Sequence, residues 1–172
     1  MQIVLKIVKA NPLCFCFLLP MMTDGVITFL GQSPLYWQNH NIVNEGGPAY
    51  FLLVIGPLVY IGGSLLYFIL CYCLVFWLKQ PLNIMLALAL TIGHSWGSST
   101  WLSPLFSRWL EQLGVVGTRS LFLFQWTLLV IYFVLIGICA GAALAQYMRI
   151  QQQKVEEARE GNFRRPGQPA RQ

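Results

Sequence analysis

Four long apolar runs, separated by polar breaks, organise the chain: residues 13–30, 49–78, 82–102 and 121–147. Each is long enough, as a helix, to cross the ~30 Å hydrocarbon core of a bilayer. The pattern predicts an all-α fold, an integral membrane four-helix bundle. In the first run, Pro20 removes a backbone hydrogen bond and is expected to kink the helix just before Asp24. The second run has thirty residues, which at ~1.5 Å each reach ~45 Å. It should therefore tilt, kink at Gly56-Pro57, or lie partly in the interface. Gly56, Gly62 and Gly63 would let helices approach closely.

The breaks carry their own signals. Residues 31–48 are rich in Gly, Asn and Pro and free of Lys and Arg, with Tyr36 and Trp37 suited to the membrane–water boundary. This loop is long enough to fold back over the bundle. Lys79-Gln80-Pro81 is so short that the second and third helices must form an antiparallel hairpin. After residue 102, Ser103-Pro104 reads as an N-cap followed by proline at the first helical position. Phe106, Trp109, Leu110 and Leu113 then share one face, with Ser107, Arg108, Glu111 and Gln112 opposite. That predicts a short interfacial helix in the third loop, ended by Gly114 and Gly117. In the fourth run Gly137, Gly141 and Ala145 form a small-residue edge, suited first to packing inside the bundle and second to a homodimer. Residues 1–147 are thus a membrane domain, and 148–172 a helical extension ending in a disordered basic tail.

Composition agrees with the pattern. Of 172 residues, 56% are apolar and 10% charged, against roughly 25% charged in soluble domains. A basic start before an apolar core imitates a signal peptide, but no small-x-small cleavage site follows, so the first run reads as a membrane helix. The five cysteines lie in apolar runs without a C-x-x-C pair, and are read as small buried hydrophobes. Charge decides orientation. Lys6, Lys9, Lys79, Arg149, Lys154, Arg159, Arg164, Arg165 and Arg171 fall on one side, and only Arg108 and Arg119 on the other. This positive-inside bias places both termini in the cytoplasm, with the chain in a cell (inner) membrane. The net charge of +5 bears on topology and on anionic lipids at the C-terminal tail, and does not point to nucleic acid.

The third run carries the candidate chemistry. Asn83, Ala87, Thr91, His94 and Ser98 share one helical face, and a polar stripe in a span must face protein or water. His94 lies about 18 Å along its helix, and Asp24 about 16 Å along the first, which puts them at similar levels. An aspartate inside a span costs a few kcal/mol unless neutral or partnered; Thr28, one turn on, is its nearest local partner. Glu45 sits in the outer loop, where it could serve as a ligand or favour the N-terminus of the second helix. Asp24, Glu45, His94 and, in a lesser role, His40 are chemically sufficient for a divalent metal, without a spacing that specifies one. Asp24, His94 and Glu45 are likewise the catalytic candidates. Ser95, Ser98, Ser99 and Thr100 crowd the same helix end, so a serine nucleophile beside His94 is also conceivable. Trp96 and Trp101 read as interface anchors, and His40 as solvent-facing.

Asp24-x-x-x-Thr28, Gly31-Gln32-x-Pro34-x-Tyr36-Trp37, Asn44-Glu45-Gly46-x-Pro48 and His94-x-Trp96-Gly97 together resemble small bacterial multi-pass membrane proteins of the DUF5658-like group. Those proteins share a first-helix Asp and a Glu-x-Asn-Pro box; Gly47 stands here where the box has Asn. The resemblance covers about the first hundred residues and implies a helical membrane protein with no assigned activity. Three readings stay open: a structural or partner-binding membrane protein, with a homo-oligomer or a protein partner; a membrane-embedded hydrolase or metal-binding protein; and a small oligomeric transporter or proton relay. The first is preferred, because nothing in the chain specifies a substrate.

Overall fold

Helix α1, Cys14–Leu30, runs unbroken through the buried Pro20 and is the element the others gather around. The computed structural model describes residues 11–115 and 117–163, so the expected basic start and the tail beyond residue 163 lie outside the described residues. The described residues are all-helical, with no strand among them. Four more helices follow: α2 Tyr50–Ile55, α3 Pro57–Trp77, α4 Leu82–Gln112 and α5 Thr118–Phe163. The largest helix–helix interface joins α1 to α4, and α5 closes on both.

The second apolar run does not merely bend. Gly56 adopts φ 144°, a conformation that side-chain-bearing residues rarely take, and Pro57 restarts the chain as α3 without needing an N–H partner. A Cβ on Gly63 would lie 2.7 Å from Leu52 Cδ1. Residues eleven apart on one straight helix would be about 16 Å apart, so α2 folds back onto the start of α3. Gly63 is needed for that approach, whereas nothing lies within 4 Å of a Cβ on Gly62.

Three expectations from the sequence are corrected. No separate interfacial helix follows residue 102: α4 continues to Gln112 with Pro104 in its interior. The reason lies on α5. Gln125 donates from Nε2 to Ser103 Oγ and accepts from Ser107 Oγ at 2.9 Å, bracketing the proline from outside the helix. Ser103 is occupied there instead of capping a new helix. Beyond it Leu110 is buried, while Trp109 and Leu113 stay exposed, and the chain leaves α4 through Gly114 at φ 80°. The second correction concerns the small-residue edge of α5. Nothing lies within 4 Å of a Cβ on Gly137 or Gly141, so that edge faces outward and packs on no described part of the chain. The third concerns the cysteines, read as small buried hydrophobes: Cys14, Cys16 and Cys71 are buried, but Cys73 and Cys139 are exposed.

Two apolar clusters hold the arrangement. Near one end, Phe17 and Met21 of α1 meet Cys71 and Val75 of α3, Ala87 of α4 and Ala143 of α5. At the other, the loop after α1 folds back so that Tyr36 packs with Leu53 and Tyr60. Tyr36 is fully buried and donates to the Leu53 carbonyl at 3.1 Å. Burial raises its pKa. Helices α3 and α5 are long and apolar enough to cross a membrane, and only 17% of each apolar window is buried. A core helix of a soluble protein would instead be covered all round.

Candidate functional site

The polar stripe of α4 turns inward. Asn83, Thr91, Ser95 and Ser98 are buried, with Ala87 between them, whereas Met85, Ile92 and Trp96 on the outer face are more than half exposed. Two of the buried hydroxyls repay their burial locally: Thr91 Oγ1 donates to the Ala87 carbonyl at 2.7 Å and Ser95 Oγ to the Thr91 carbonyl at 2.6 Å. The remaining stripe residues reach other helices, which makes the stripe a seam.

At mid-seam, His94 Nδ1 lies 2.7 Å from Asp24 Oδ2. The two side chains retain 19% and 21% exposure, so the pair is partly buried and not sealed. Which of the two groups carries the proton of this bond depends on the imidazole tautomer. Gly97, one turn beyond His94, makes the approach possible, since its Cβ would fall 2.8 Å from Asp24 Oδ1 and 2.9 Å from Oδ2. Tyr67 of α3 tilts over the imidazole, with ring centroids 5.8 Å apart. Thr28 is not the partner of Asp24; it is buried, and its carbonyl accepts from Gln32 Nε2 at 2.8 Å.

Both ends of the seam are tied to α5 by tyrosines. Ser98 Oγ and Tyr132 Oη are 2.6 Å apart, and Asn83 Nδ2 donates to Tyr147 Oη at 2.7 Å. Asn83 and Ser98 are fifteen residues apart, as are Tyr132 and Tyr147. Equal spacings on antiparallel helices bring two pairs into register together. Every buried side-chain nitrogen and oxygen among the described residues has a hydrogen-bond partner.

Glu45 belongs to a neighbouring assembly. Its Oε1 accepts from the Gly47 N–H at 2.7 Å, and its Oε2 from Trp101 Nε1 at 3.2 Å. It does not cap α2, whose N-cap residue is Ala49 with no side-chain cap. Gly47 suits this turn, because a Cβ there would lie 2.9 Å from Glu45 Oε1. Trp101 is therefore a partner of Glu45 more than an interface anchor, and its ring lies where a Cβ on Gly31 would come within 2.5 Å of it. Gln32 ties the two ends of this loop together by accepting from the Asn44 N–H at 2.9 Å. His40 is half-buried rather than solvent-facing: its ring sits 5.2 Å from that of Tyr36, with Nδ1 3.6 Å from where a Gly56 Cβ would be.

The structure thus joins two of the four candidate residues, Asp24 and His94, and places Glu45 and His40 in separate contacts. Among the described residues no three His, Cys, Asp or Glu side chains converge as metal ligands. The serine–histidine idea also finds no geometry: Ser98 donates to the His94 backbone carbonyl, and Ser99 and Thr100 to the carbonyls of Trp96 and Gly97. What the arrangement offers chemically is an Asp–His pair whose second imidazole nitrogen has no hydrogen-bond partner among the described residues. In comparisons with known proteins, no family model, no curated protein and no solved structure matches this chain.

Proposed function

We propose that the chain is a four-span membrane protein of structural or partner-binding type, in which the Asp24–His94 pair fastens α1 to α4. The observation that carries this reading is the 2.7 Å contact between two ionisable side chains from separate helices, with Gly97 making room for it. Support for membrane crossing comes first from α3 and α5, apolar and mostly uncovered. The other two spans, α1 and α4, are less plain, for different reasons. Helix α1 is short, 17 residues or about 25 Å. Helix α4 loses apparent hydropathy to a stripe that is buried, while its outer face carries Met85, Ile92 and Trp96. Both termini lie in the cytoplasm of a bacterial cell, as the Lys and Arg distribution supports, and Glu45 and Trp101 lie toward the outer face.

A proton relay within an oligomer is the second reading, favoured by one observation: the pair keeps about a fifth of its surface. A single set of measurements on Asp24→Asn and His94→Gln separates the two. Fastening predicts lowered unfolding stability and no change in proton leak through reconstituted liposomes. Proton flux in the unmodified chain, lost in Asp24→Asn, would replace the first reading by the second. Topology is tested in a cysteine-free background. Gln38→Cys should label only from outside, and Gln80→Cys and Gln168→Cys only from inside; a shared side for Gln38 and Gln80 would remove the four-span arrangement.

A further inference from the structure

We propose that the recess at the Lys79 end of the helices binds the phosphate of an anionic lipid headgroup between Lys79 and Lys154. This rests on the membrane-spanning part of the proposed function and not on the Asp24–His94 pair. The recess has a volume of about 540 Å³, within the range of sites that hold small ligands. Three separate parts of the chain converge on it. Asn11 comes from the entry to α1, Lys79 and Gln80 from the turn between α3 and α4, and Gln151 and Lys154 from α5. Tyr147, Gln151 and Lys154 follow at steps of four and three, so α5 presents them on one face.

The chemistry of the lining is one-sided. Among the described residues it contains two ammonium groups and several amides, and no carboxylate. The one ion pair among the described residues is Asp24–His94, so neither lysine is neutralised by a described side chain. Asn83, also in the lining, donates from Nδ2 to Tyr147 Oη and accepts at Oδ1 from the Ile84 N–H. Because Tyr147 Oη accepts from Asn83, its own hydrogen is left to donate. Phe76, more than half exposed, and the part-buried Leu78 add an apolar side to the lining, against which an acyl chain would lie. Basic recesses between spans on the cytoplasmic side suit lipid phosphates, because that leaflet is anionic. A free phosphate shares the polar chemistry but makes no use of the apolar side.

The full chain, purified in a zwitterionic detergent, is titrated with dihexanoyl phosphatidylglycerol, with dihexanoyl phosphatidylcholine and with inorganic phosphate, and bound ligand is read by native mass spectrometry. Saturable binding of the glycerol lipid is expected, weaker by at least about tenfold in the Lys79→Gln, Lys154→Gln double variant. The exposed arginines at the other end supply a control, and Arg108→Gln with Arg119→Gln should leave that binding unchanged. Equal binding by the lysine double variant, or an equal loss in the arginine control, would overturn the site. Equal affinity for the choline lipid would overturn the requirement for net negative charge. Inorganic phosphate binding as tightly as the lipid would assign the recess to a soluble ligand and overturn the lipid source. Recovery of the chain without detergent would instead remove the membrane reading itself, an outcome separate from all of these.

Discussion

Helices α4 and α5 pack against each other, yet they spend their surfaces in opposite ways. Helix α4 turns its polar residues inward and leaves Met85, Ile92 and Trp96 outside. Helix α5 turns two tyrosines inward, to Ser98 and Asn83, and leaves Phe124, Val130, Val134 and Ile138 outside. In water the outward faces would be liabilities; in lipid they are ordinary. The comparison teaches that specificity lies in the seam, because apolar contacts with a neighbouring helix and with lipid tails are nearly equivalent. The seam has directional bonds that no lipid can replace.

Substitutions in the seam should therefore cost far more than substitutions on the outward faces. His94→Ala leaves the Asp24 carboxylate without its partner and is expected to cost about 2 kcal/mol, less than for a fully buried pair because both groups keep some exposure. Unfolding titrations in mixed micelles measure this. Gly97→Val should cost roughly 1–2 kcal/mol by forcing the Asp24 carboxylate aside; in an Asp24→Ala background the same change should become close to neutral, because the obstruction is gone. Tyr132→Phe removes one interhelical hydrogen bond to Ser98 and should cost about 0.6 kcal/mol, the usual size for such bonds in membranes. Smallest is Gly137→Ala on the outward edge of α5, where a Cβ meets nothing. It should be neutral or slightly stabilising, since alanine favours the helix. A loss there, accompanied by a smaller particle in detergent, would mean that a second copy packs on this edge.

Much of the helical layout was legible because apolar runs and their breaks are long and one-dimensional. The inward turn of residues 83, 91 and 98 followed from helical period alone, and similar positions along their helices were enough to suggest that Asp24 and His94 could meet. Other features needed the third dimension. Pro104 looked like a helix start because a proline after serine commonly is one; only Gln125, on another helix, keeps Ser103 and Ser107 in a continuous α4. Trp101 looked like an interface anchor because its partner, Glu45, is 56 residues away in sequence. The tyrosine pairs did leave a signal, the matched fifteen-residue spacings of Asn83–Ser98 and Tyr132–Tyr147. The role of Gly97 left none, because a glycine that clears a carboxylate reads the same as any other helical glycine.

The most direct test of the central claim is a double-mutant cycle at Asp24 and His94, read as unfolding free energy in lipid–detergent micelles. If the two side chains fasten α1 to α4, Asp24→Ala and His94→Ala should be non-additive, with a coupling of about 1–2 kcal/mol in favour of the pair. Additivity within about 0.3–0.5 kcal/mol would contradict the account, because it would mean that the 2.7 Å contact contributes nothing to holding the helices together.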